Sequence, residues 1–155
     1  MAFSAKDSYS AHTSYTIFNL FNQVREGKVV LESYPEMGVE EMSRIIDYVI
    51  SVMEIPNVIG YFKWQDGYGY IPHIKSQLKV IVAIKRFLDG EFAICRYSDK
   101  YPNLVDGIVG KKIEDLNMSM YKCLCEINIT CTFYTFYGLP IEDTIEFVDS
   151  IISFT

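Results

Sequence analysis

The sequence predicts an α+β domain: an antiparallel sheet of about four to five strands, with N-terminal helices and a C-terminal helix packed on it. Three observations predict it. Apolar residues at helical spacing open and close the chain, an Asp-Gly turn sits inside a β-rich stretch at residues 57–71, and a run of strict alternation fills residues 123–133. The length of 155 residues suits a single domain with a sizeable core, and residues 1–12, small and polar, read as a loose tail.

From Thr13 to Glu26, Ile17, Leu20, Phe21 and Val24 recur at helical spacing, and Gly27 stands where a C-terminal cap belongs. Lys28 to Tyr34 reads as a short strand. Val39 to Glu54 carries a wide apolar stripe of Met42, Ile45, Ile46, Val49, Val52 and Met53, with Glu40 and Glu41 in the first turn and Pro56 as the stop. Next comes a hairpin with Asp66-Gly67 as its two-residue loop. That register sets Phe62, Trp64 and Ile71 on one face and Tyr61, Lys63, Tyr68 and Tyr70 on the other.

Lys79 to Leu88 reads as a strand entering a second hairpin at Asp89-Gly90, with Glu91 to Tyr97 returning. The phrase Phe87-Leu88-Asp89-Gly90 equally suits the end of a helix running from about His73. Residues 99–117 hold Pro102, Gly107 and Gly110 and read as loop plus a short helix. Cys123 to Phe133 alternates Cys123, Cys125, Ile127, Ile129, Cys131 and Phe133 against Leu124, Glu126, Asn128, Thr130 and Thr132, the pattern of a half-buried strand. A helix from Pro140 closes the chain, with Ile141, Ile145, Val148 and Ile152 as its stripe and Glu142, Asp143, Glu146 and Asp149 off it.

The inventory of reactive groups is short. Cys123, Cys125 and Cys131 share one face of the expected strand, with Cys123 and Cys131 roughly 26 Å apart when extended. They cannot close around one ion without a bend, and they read, with Cys95, as small core hydrophobes. The stretch Val105 to Leu116, with Gly107 and Gly110 bracketing Ile108-Val109, resembles the phosphate-clamping loop of KH RNA-binding domains and implies contact with an RNA backbone there. Asp106 would set a negative charge beside the phosphates, and the reading that stands is a glycine turn opening a short helix. His12 falls in the expected tail and His73 follows the hairpin, and neither is tied by spacing to a nucleophile. No metal and no cofactor are expected.

Net charge is −6, which argues against nucleic acid and anionic membrane as partners and suits a basic protein. The N-terminal residues lack the apolar core of a signal peptide and no apolar run reaches bilayer length, so a cytoplasmic location with reduced cysteines is expected. Aromatics reach 15%, with 12 Tyr and 10 Phe, more rings than a core of this size takes. The expected function is a small acidic protein-binding module, an inhibitor or immunity-type protein that blocks a basic partner. Its expected contacts are Tyr61, Lys63, Tyr68 and Tyr70 on the hairpin and Glu142, Glu146 and Asp149 on the last helix. The alternative is a small enzyme or ligand-binding domain with a pocket near the Tyr-rich hairpin and His73. The sequence leans against the enzyme.

Overall fold

The computed structural model describes residues 8–96, 103–105 and 107–154. The first seven residues of the expected tail, Tyr97 at the end of the expected return strand, and Pro102 and Asp106 of the glycine-containing segment lie outside them.

Polar residues 8–12, read from sequence as tail, begin a strand instead. β1 (Ser8–Thr16) runs antiparallel to β5 (Asn128–Phe136) along its whole length. β1 is an edge strand whose outward residues Ser10, His12 and Ser14 stay in solvent while Ala11, Thr13 and Tyr15 turn inward, so only half of its alternation is apolar. Thr16 then caps α1 (Ile17–Arg25), its hydroxyl accepting the Asn19 N–H at 3.1 Å. The expected helix thus starts later than Thr13 and ends, as its spacing implies, at Gly27 (φ +78°). β2 is reduced to Val30–Leu31. α2 (Val39–Val52) buries Met42, Ile46, Val49 and Ile50 and stops at left-handed Met53 before Pro56.

β3 (Val58–Gln65) and β4 (Gly69–Ile74) form the expected hairpin. α3 (Leu78–Leu88) replaces the strand expected at 79–88. Its apolar run Ile81, Val82, Ala83, Ile84, Phe87 is a helix packed beside α2 and buried over a wide arc, a pattern that short-range periodicity does not separate from a buried strand. Residues 91–96 pair with no strand. Ile94 instead exchanges backbone hydrogen bonds with Gly110 (2.6 Å) and Lys111 (2.9 Å). The strand expected at 123–133 splits. α4 (Met118–Glu126) is capped by Asn117, whose side chain accepts the Met120 N–H at 2.8 Å, and β5 follows it.

The sheet is mixed, not antiparallel. Its order is β1-β5-β3-β4-β2, with β5 parallel to β3 and β2 parallel to β4. β5 lies between β1 and β3, and both of its faces are covered: Ile129, Cys131 and Phe133 enter the main core with the four earlier helices, while Tyr134 and Phe136 meet Phe147 of α5 (Ile141–Ser153). α5 starts one residue after the expected Pro140, which is its extended N-cap; it buries the expected Val148 together with Thr144, and leaves the expected Ile141, Ile145 and Ile152 half-buried. The fold is α+β, and among the described residues it has five α-helices and five strands.

Gly60, in the middle of β3, has no space for a side chain. A Cβ there would overlap the His73 carbonyl oxygen of β4 and stand 3.0 Å from the Phe133 ring of β5. A second constraint is Asp47, fully buried on α2. Its carboxylate accepts the Leu104 N–H (2.6 Å) and the Val105 N–H (2.9 Å), and Ser43, also fully buried, accepts the Cys95 N–H at 2.9 Å. These bonds fasten the irregular segment after α3 to the helical layer. Among the described residues, no helix is long and apolar enough to cross a membrane.

Gly60→Ala is expected to lower stability by about 3 kcal/mol through overpacking, read as a reduced urea midpoint at unchanged slope. Wild-type stability would refute the crowding. Asp47→Ala leaves two inward N–H groups without an acceptor and is expected to lose about 2–4 kcal/mol. Amide hydrogen exchange should quicken first at Leu104 and Val105, and unchanged protection there would show that the carboxylate does not hold the segment.

Candidate functional site

The hairpin loop has three residues, not two. Gln65 pairs with Gly69, Trp64 with Tyr70, Lys63 with Ile71 and Tyr61 with His73. A type I′ turn needs positive φ at both central residues, but of Asp66 and Gly67 only Gly67 has it (+84°). The turn closes from the Tyr68 N–H to the Gln65 carbonyl at 3.0 Å, and Gly69, at φ +83°, absorbs the extra residue. This shift by one residue turns β4 over relative to the sequence expectation. Tyr70 joins Trp64 and Phe62 on one face. Tyr61 and Lys63 share the other with Ile71 and His73, and Tyr68 sits at the tip. The expected four-residue face of Tyr61, Lys63, Tyr68 and Tyr70 therefore does not exist.

In its place stands an aromatic ladder. The Trp64 and Tyr70 rings meet edge to face with centroids 5.1 Å apart, and Tyr70 meets Tyr137 in the same way at 5.9 Å. Trp64 donates its indole N–H to Asp66 at 2.9 Å, which fixes the ring. Trp64 is 58% exposed, Tyr70 45% and Tyr137 49%, and Tyr68 at the loop is 75% exposed. Isolated exposed rings are ordinary, but three in contact form a patch. Tyr137 lies just past β5, and the first turn of α5 with Glu142 begins within roughly 17 Å of it by chain length. No local signal in the sequence marks Tyr137. Gly69 is the signal that would have moved the register.

The opposite face holds a polar cluster. Tyr61 is 3% exposed, donates its hydroxyl to Glu32 at 2.6 Å and stacks flat on His73, with centroids 5.1 Å apart and planes at 14°. Burial, then the hydrogen bond and charge of Glu32, raise the Tyr61 hydroxyl far above the usual tyrosine range. Burial also lowers His73, against the opposing pull of Glu32, and Lys63 lowers it further. Lys75 pairs with Asp149 beside them. Of the residues expected from sequence, Tyr61, Lys63 and Asp149 meet here together with Glu32, His73 and Lys75. Glu142 and Glu146 stay exposed on α5, outside this cluster. The Tyr61 proton is committed to Glu32, so the arrangement locks β2, β3 and β4 together and leaves the hydroxyl little capacity for proton transfer.

The cysteines part company as the expected strand splits. Cys123 is exposed on α4 and Cys125 half-buried, whereas Cys131 of β5 is fully buried and burial pushes its thiol up to about 12. Only Cys131 is the inward-facing strand residue that the alternation predicts. Among the described residues no cluster of His, Cys, Asp and Glu can hold a metal ion. The KH-like turn spends its Gly110 N–H on Ile94 and buries Ile108, so that backbone group is already committed within the fold. His12 is in β1, within 2.9 Å of the Thr132 hydroxyl. Comparison of the chain with protein-family models, with curated proteins and with solved structures finds no match.

Because the fold favours neutral His73, the unfolded chain takes up this proton first as pH falls through the ordinary value of 6.5. Stability is expected to decline from about pH 7.5 to about pH 5.5, and His73→Gln should reduce that decline. Urea unfolding across the window checks it, and an equal slope in the variant would remove His73 from the account.

Proposed function

We propose that the protein is a protein-binding module, of the inhibitor or immunity type, that docks a basic partner on the Trp64–Tyr70–Tyr137 ladder. The observation that carries this reading is the ladder itself: contiguous, exposed rings in fixed geometry, two on the hairpin and one just past β5. Two-torsion aromatic side chains lose little entropy on binding and give large contact area. The charge supports a cationic partner. The chain carries −6, Asp66 sits against Trp64, and Glu142 follows Tyr137 by five residues. Arginine or lysine side chains stacked on the rings would gain about 0.5–2 kcal/mol each, most where water is excluded. The acidic field would speed encounter and lose effect in salt.

Trp64 is the sole tryptophan, so its fluorescence reports on the ladder directly. Titration with an octa-arginine peptide is expected to change its emission saturably, with octa-glutamate inert. Tyr70→Ala should weaken the interaction about tenfold, the equivalent of about 1.4 kcal/mol. No saturable change at low salt, or equal affinity in Tyr70→Ala, would overturn the assignment.

A further inference from the structure

We infer that the protein has a second binding site, independent of the ladder, which takes a small organic anion with a planar apolar body, such as an aromatic carboxylate or sulfonate. The site is a cavity of about 260 Å³ between α1, the end of α3 and α4. That is just below the range of drug-sized pockets, about 300–1,000 Å³, and suits a compound of one or two rings.

The lining has the composition of a ligand site. Phe21, Val24 and Leu88 supply apolar surface from within the fold. Phe18 of α1, Tyr121 of α4 and Tyr34 of the connection between β2 and α2 line the same cavity and remain exposed. A planar ligand between them would remove all three from water at once, which burial within the described fold does not do. Two cations complete the lining, Arg25 and Lys85. Asn22 accepts from the Arg25 guanidinium at 3.1 Å and Asp89 from the Lys85 ammonium at 2.7 Å. Each cation keeps further N–H donors beyond the one that its neighbour uses.

Two cations against the one carboxylate of Asp89 leave the lining with a net positive charge, in a chain whose total is −6. Both cations stand in the last turns of their helices, where the helix dipole favours them by about 0.3–1 kcal/mol. The dipole accounts for their positions along the helices. It does not account for their convergence, from different helices, on one cavity walled by exposed rings. An anion with an apolar body satisfies both features, its charge on Arg25 and Lys85 and its ring among Phe18, Tyr34 and Tyr121.

Cys125 also lines the cavity, whereas Cys123, on the same helix, is exposed and outside the lining, so the pair serves as reporter and control. The test uses the anionic fluorophore 8-anilinonaphthalene-1-sulfonate with the full chain. Saturable binding of one molecule per chain is expected, and bound probe should slow alkylation of Cys125 by iodoacetamide while leaving Cys123 unchanged. The Arg25→Gln/Lys85→Gln variant should bind at least tenfold more weakly, yet bind the uncharged N-phenyl-1-naphthylamine as the wild type does. That second probe shows that the cavity persists in the variant. Absence of saturable binding, equal affinity of the charge variant for the sulfonate, or undiminished Cys125 alkylation at saturation would each overturn the proposal.

Discussion

A glycine at the crossing of three strands carries the architecture. Position 60 is flanked by the His73 carbonyl in β4, whose oxygen occupies the space a side chain would need, and by the Phe133 ring in β5, which crowds the same point from 3.0 Å. Phe133, fully buried, also packs on Phe62 with centroids 5.4 Å apart. The missing side chain therefore seats β5, and the Gly60–Phe133 pairing sets the parallel register that places Cys131 opposite Val58. β1 takes its register from β5, and α5 packs on the far side of β5 through Tyr134 and Phe136. Two of the five strands and the last helix thus hang on one residue with nothing on its Cα.

The two faces of the β3–β4 hairpin divide the work. On one face the Tyr61 hydroxyl, the Glu32 carboxylate and the His73 ring tie three strands together. On the other, Trp64 and Tyr70 are exposed beside Tyr137, which follows β5. A surface on paired strands holds its geometry better than one on a loop, because the ladder hydrogen bonds behind it leave few torsions to move. The polar cluster is thus structural, and the aromatic face is the one left exposed.

Elements whose apolar residues meet a single layer were legible in the sequence. α2 shows its stripe and its acidic first turn, α5 its leading proline, and the hairpin its Asp-Gly pair. Elements in two-sided or one-half surroundings were not. α3 is buried over so wide an arc that its residues form a continuous run. β1 presents polar residues outward and the mixed set Ala11, Thr13 and Tyr15 inward, so its alternation carries little contrast. In α4 the spacing of Cys123 and Cys125 mimics strand alternation by chance, and the Asn117 cap was the competing signal. For the candidate site, Tyr68 and Tyr70 were identified as surface residues, but a glycine bulge at residue 69 changed which rings are neighbours. The cavity of Arg25, Lys85 and Tyr121 draws on α1, α3 and α4, and no local motif spans such separations.

The strand order also dictates a sequence of events as the chain is made. β2, β3 and β4 lie within residues 30–74 and can pair early, whereas β1 must wait for a partner that lies 120 residues further on at the His12–Thr132 contact. Until β5 emerges, the nascent chain carries an unpaired edge on β3 and a solitary nine-residue strand at β1. The strand that joins β1 to β3 is thus the last to arrive, and loop closure over that distance must precede any reward from pairing. Long-range pairing of this kind slows folding and lengthens the interval open to strand exchange with other copies. The polar outward residues of β1 reduce that hazard while the strand waits for β5.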